Sequence, residues 1–169
     1  YYVSLVETAT DYDMYTASIT DDFVLGAEVT DARSLFVTRA GFEFYVADGD
    51  AQQIHRYTMS TAFDLSTAAY DTMVIDVSAQ LGDNSGDNTK DLQSIRAGDY
   101  GGTSFQRLFV MSVAGTIYSY QLTTQGDMTT AVYDGSPHVF AEGTANTDMF
   151  VGPNEVVVSE YPGEGFLQR

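Results

Sequence analysis

Cysteine and tryptophan are absent from this chain of 169 residues, and proline occurs three times. Without cysteine there is no disulfide staple and no thiolate chemistry, and the redox compartment stays open. Basic residues are scarce: seven Lys and Arg stand against 24 Asp and Glu, a net charge of −17. A surface of that sign repels phosphate backbones and anionic lipid, which argues against nucleic acid and membrane partners. The acidity itself reads as solubility, including in salty water where screening relieves self-repulsion. No apolar run approaches the roughly 20 residues of a membrane-spanning helix. No long helical pattern stands out, and no charged-then-apolar leader opens the chain. Tyr1 falls inside a strand-like run, which reads as a fragment, a processed product or the ordered part of something longer.

What is present is material for β-structure. Hydrophobic residues make up 44%, enough for a real core at this length. Thr, Val and Tyr recur in short runs that favour strands. Sliding the chain on itself exposes a repeat. "IHRYTMSTAFDLSTAAYD" (54–71) returns as "IYSYQLTTQGDMTTAVYD" (117–134) without a gap. Asp64 falls on Asp127, Tyr57 on Tyr120, Thr67 on Thr130 and Tyr70 on Tyr133. "YDMYTASI" at the start is a third copy, with Asp13 over Asp64, and its upstream strand "YVSLVETAT" puts Val3 over Ile54. Upstream of the phrase, "SLFVTRAGFEFYVAD" reads as strand, turn at Ala40-Gly41, strand; "DMFVGPNEVVVSE" has the same form near the end.

Four short strands per repeat of about 50 residues predict β-propeller blades. The expected strands of one unit are 35–39, 42–47, 54–60 and 69–77. The fold expected is therefore all-β with propeller-like blades, two full ones plus partial blades at both ends. The units run 1–33 (partial), 34–80, 81–135 and 136–169 (partial), in one repeat domain that is a fragment of, or a subunit in, a larger propeller or array. Ser and Thr hydroxyls with Asp64 are expected to cap the connection between third and fourth strands.

The residues Tyr45-Val46, Ile54, Tyr57-Thr58, Ser60-Thr61, Phe63-Asp64, Ser66-Thr67-Ala68, Tyr70-Asp71 and Val77-Ser78-Ala79-Gln80 carry a resemblance. Their pattern is similar to tandem repeats in structural proteins of marine tailed bacteriophages and in related bacterial surface proteins. The resemblance implies a propeller-like stack and a virion address, or an extracellular or cell-surface one. It implies no catalytic residues.

Two loops exceed the basic repeat. In "DNSGDNTKD", Asp83, Ser85, Asp87 and Thr89 present oxygens at alternating positions, a candidate set for calcium; a solvated acidic loop is the competing reading. "DGD" (48–50) is a second acidic loop. In "DYGGTSF", Tyr100 and Phe105 are candidate anchors for a partner, against the alternative that they fill the spaces between units. His55 and His138 have no spacing that supports zinc or a nucleophile relay. No nucleophile elbow or phosphate-cradling loop occurs. The reading is a non-enzymatic structural or attachment component of an assembly, a virion tail, fibre or decoration protein first. Its expected partners are other protein chains and a host surface receptor or glycan, with no cofactor beyond possible calcium. A secreted or surface-anchored propeller that binds glycan or protein is the alternative, and a propeller lyase or hydrolase the third reading.

Overall fold

The computed structural model describes residues 1–8, 17–82, 92–98, 106–135, 137–139, 146–152, 155–160 and 164–168. They form four antiparallel sheets. The first pairs β1 (Tyr2–Thr8) with β2 (Ala17–Val24). The second runs β3 (Ala32–Val37), β4 (Glu43–Asp48), β5 (Gln53–Met59) and β6 (Ala68–Asp76), each strand bonded to the next in sequence. The third repeats this order with β7 (Leu92–Gly98), β8 (Arg107–Ser112), β9 (Thr116–Leu122) and β10 (Ala131–Tyr133). A short β11 (His138–Val139) continues along β9. The fourth is β12 (Asn146–Gly152), β13 (Glu155–Glu160) and β14 (Glu164–Gln168).

The repeated phrase is a repeated turn. Asp64 precedes a single 3-10 turn, Leu65–Thr67, and its Oδ1 accepts from the Ser66 N–H and hydroxyl. Thr67 Oγ1 donates to the Asp64 carbonyl and accepts from the Thr61 N–H. Sixty-three residues on, Asp127, Thr129, Thr130 and Thr124 make the same four bonds before Met128–Thr130. In each copy the Asp carboxylate and the hydroxyl of the last Thr, Thr67 or Thr130, satisfy backbone groups that the change of direction leaves unpaired.

Backbone strain repeats as well. In the second sheet Gln52, Phe63 and Thr72 adopt positive φ (53°, 58° and 67°). Their counterparts one repeat later are Gly115, Gly126 and Gly135, with φ of 79°, 81° and 85°. The third position is a bulge: His55 pairs with Val74 but Tyr57 with Tyr70, so β6 carries two extra residues. In the third sheet the same bulge separates β10 from β11. Asp71 supports it by accepting from the Met73 N–H and pairing with Arg56. In the third sheet Ser119 replaces Arg56, and Arg107 reaches Asp134 instead.

The second sheet is apolar on both faces. Phe44, Val46, Tyr57 and Met59 pack against Val3, Leu5 and Phe23 of the first sheet, with Leu25 and Val29 of the connector. Tyr45, Ala47 and Ile54 pack on the other side with Ile95, Leu108, Val110, Tyr120 and Met128 of the third. Phe44 and Tyr57 stack with ring centroids 4.7 Å apart, and Phe23 meets both edge-on. Burial of each such side chain contributes on the order of 2 kcal/mol.

The expectation of a propeller is corrected. The four sheets are separate and open, and none closes or curls into a ring. The opening strand β7 lies beside β3 and β12, but the first and fourth sheets share no ladder among the described residues. The physical reason is that a repeat of four short strands specifies one meander and its face-to-face contact. It does not specify the rotation between neighbours that closure requires.

Thr72 is exposed and β-branched, a poor occupant for a left-handed position. Replacing it with glycine removes about 1–2 kcal/mol of local strain and adds about 0.5–1 kcal/mol of backbone entropy. Thr72→Gly is expected to raise stability by roughly 0.5–1 kcal/mol, read as a higher urea midpoint at unchanged slope.

Candidate functional site

The residues singled out from sequence, Tyr100 and Phe105 with Asp83, Ser85, Asp87 and Thr89, lie outside the described residues. Among the described residues no group of three or more His, Asp or Glu side chains is arranged to hold a metal. No described helix is long and apolar enough to cross a membrane, which says nothing of β-barrels.

The structure instead brings together a polar cluster where the connector 25–31 lies against the second sheet. Asp48, at the end of β4, is fully buried. Its carboxylate accepts from the N–H groups of Thr30, Asp31 and Ala51 and from the Thr30 hydroxyl. Gly49 N–H donates to the Asp31 carbonyl beside it. This member of the "DGD" loop therefore faces inward and holds the connector to the β4–β5 turn.

Next to it, the buried Tyr57 hydroxyl donates to Glu28 Oε1 at 2.7 Å, and the Gly26 N–H donates to the same oxygen. Burial pushes Glu28 upward, but the Tyr57 and backbone hydrogen bonds outweigh it and hold the carboxyl below its usual range. Burial, followed by Glu28, pushes the Tyr57 phenol well above its ordinary value. The phenol thus stays a donor.

His55 completes the cluster. It is 3% exposed, and its Nδ1 lies 3.2 Å from the Tyr70 hydroxyl. Its Nε2 is buried and meets no hydrogen-bond partner among the described residues. Burial lowers its proton affinity below the ordinary histidine value, with Asp48 and Glu28 pulling weakly the other way.

The same cross-connection recurs one sheet later. Tyr120 donates to Gln80 Oε1 at 2.9 Å, from the single helical turn Ser78–Leu81 that follows β6. Glu28-Val29 and Gln80-Leu81 are thus equivalent: one residue accepts from the tyrosine of the next sheet and its neighbour fills the core. Sequence reasoning missed Glu28, Thr30 and Asp48 because no motif joins them. The available signal was the recurrence of a long polar side chain before Val29 and Leu81, ahead of the matched tyrosines but at different spacings of 29 and 40 residues.

Two shallow openings flank this region. One, of about 270 Å³, lies between β1 and β3 and is lined by Tyr2, Ser4, Arg33 and Leu35. The other, of about 90 Å³, is apolar and bounded by Leu5, Val37, Met59 and Phe63.

No protein-family model matches the chain, and no curated protein matches it. The virion or surface address implied by the repeat phrase rests on those residues alone.

The two kinds of clasp differ in what their loss leaves behind. Asp48→Ala removes the shared acceptor of three partly buried N–H groups at once, and an expected loss of about 3 kcal/mol follows. Tyr57→Phe leaves Glu28 partly accessible to water, so about 1 kcal/mol is expected. Urea denaturation followed by circular dichroism checks both values and their order.

Proposed function

We propose that this chain is a non-enzymatic structural or attachment component of a larger assembly, with other protein chains as its partners. What supports this is the outer face of the first sheet. Tyr2 and Val24 form a cross-strand pair and are 71% and 74% exposed. The equivalent pair in the second sheet is Gln53 and Asp76, both polar. Ile19, on the same face, is 63% exposed. Apolar side chains where the repeat tolerates polar ones mark a surface that meets another molecule.

The reading also accounts for how the described ionisable groups are used. Asp48, Glu28, Asp64, Asp71 and Asp127 hold connectors, caps and bulges in place. The repeat phrase, with its resemblance to virion and surface proteins, supports the same class of role. Association of copies has to overcome the charge of −17, so it strengthens as salt screens that charge.

The test is sedimentation of the chain against concentration at low salt and at about 1 M salt, where the screening length is about 3 Å. Concentration-dependent association at high salt is expected, and the double variant Tyr2→Ser, Val24→Ser is expected to remain monomeric with an unchanged urea midpoint. A wild-type chain that stays monomeric throughout, or a variant that associates equally well, overturns the proposal.

A further inference from the structure

The two joints between consecutive sheets share one plan and differ in ionisation. At the first joint stand Glu28, Asp48 and His55. At the second, the equivalent positions are Gln80, Ser112 and Tyr118. The pairing registers fix the equivalence: Val46 opposes His55 as Val110 opposes Tyr118, and Ala47 opposes Ile54 as Met111 opposes Ile117. Ser112, like Asp48, is buried and accepts a turn N–H, from Thr116. Two carboxylates and an imidazole are thus replaced by an amide, a hydroxyl and a phenol, which carry no charge at neutral pH or below.

His55 is the member whose side-chain type ordinarily titrates nearest neutrality. The groups facing it are Asp48 from β4, Glu28 from the connector, Tyr57 on its own strand and Tyr70 from β6. From the first sheet, Val3, Leu5 and Phe23 pack against this interface. Asp48 already accepts from three backbone N–H groups, and Glu28 from Tyr57 and Gly26. An imidazolium carries N–H on both nitrogens, and the buried Nε2 has no acceptor among the described residues.

We propose that His55 makes the first joint acid-releasable: when its ring is protonated, the connector 25–31 and the first sheet leave the second sheet, while the joint between the second and third sheets stays closed. The sign follows from linkage. Burial weakens proton binding in the docked state, whereas a released His55 binds a proton with its ordinary pKa of about 6.5. Docking is therefore at full strength above about pH 6.5 and weakens as pH falls below it, down to the docked-state pKa. Each unit between the two values lowers the docked-to-released ratio about tenfold. Glu28 has an ordinary value of 4.5 and lies lower still when docked, so its contribution is lost in a separate window below about pH 4.5.

Hydrogen exchange read by mass spectrometry, corrected for intrinsic rates, separates the two joints. Between about pH 7 and 5, protection of residues 17–31 is expected to fall, by up to about tenfold per pH unit below about 6.5, while residues 107–122 keep theirs. In His55→Gln that fall is expected to vanish. Equal pH responses at both joints, or a His55→Gln chain that keeps the wild-type response, overturns the proposal. If His55→Gln does not fold, the wild-type imidazole signals decide, since His138 is the other histidine. A His55 resonance that titrates below about 6.5 together with the amides of 25–31 supports the proposal; one that titrates at or above that value overturns it.

Discussion

A four-stranded sheet of short strands that is apolar on both faces cannot stand alone in water. The rest of this structure follows from that constraint. Tyr45, Ala47 and Ile54 on one face and Phe44, Val46, Tyr57 and Met59 on the other demand a neighbour on each side. The first and third sheets supply them. Stacking creates a second problem, because the connectors between sheets carry backbone groups into the covered region, where each must find a partner. Asp48 meets part of that demand by holding the connector's N–H groups. The tyrosine of each sheet reaches back to Glu28 or Gln80 in the connector before it. Core and clasp are thus one requirement, met by side chains that alternate along the same strands.

What repeats along the chain is backbone conformation before it is side-chain identity. Gln52, Phe63 and Thr72 share no chemistry with Gly115, Gly126 and Gly135, yet all six bend the chain into the left-handed region at matched places. Glycine is the unstrained occupant there. Gln52 brings a compensation, since its amide donates to the Gly82 carbonyl. Phe63 brings another, lying over Gly41, where any side chain would collide with its ring. The Arg56–Asp71 pair shows the same economy of position. One repeat later the cation comes from β8 rather than from β9, the counterpart of β5, and still meets the aspartate beside the bulge.

Much of the local structure was legible in the residues. The strands of the second sheet, the turn at Ala40-Gly41 and the capping role of Asp64 follow from patterns that act within a few residues, where hydrogen-bond geometry leaves few solutions. The assembly of the units was not legible in the same way. Blade-like repeats suggested a ring, but closure depends on angles between sheets that no short pattern encodes. The clasp was hidden for a related reason. Glu28 and Tyr57 are 29 residues apart, and Thr30 and Asp48 are 18 apart. Each is an ordinary residue in its own segment and becomes a site only when the connector folds back.

The first joint gathers the features that weaken a fold. Its unit holds the three non-glycine residues at positive φ among the described residues, and its clasp holds the carboxylates and the histidine. The second joint has glycine at every strained position and neutral partners throughout its clasp. A repeat protein distributes its stability over units and the contacts between neighbours, so opening begins at the joint whose terms are least favourable. That joint also carries the sheet with the most exposed apolar pair among the described residues, Tyr2 and Val24. Displacing the first sheet would uncover Phe44, Tyr57 and Met59 beneath it. The weak joint and the exposed apolar face are therefore two sides of one thin sheet, and whatever covers the outer face adds to the stability of the inner one.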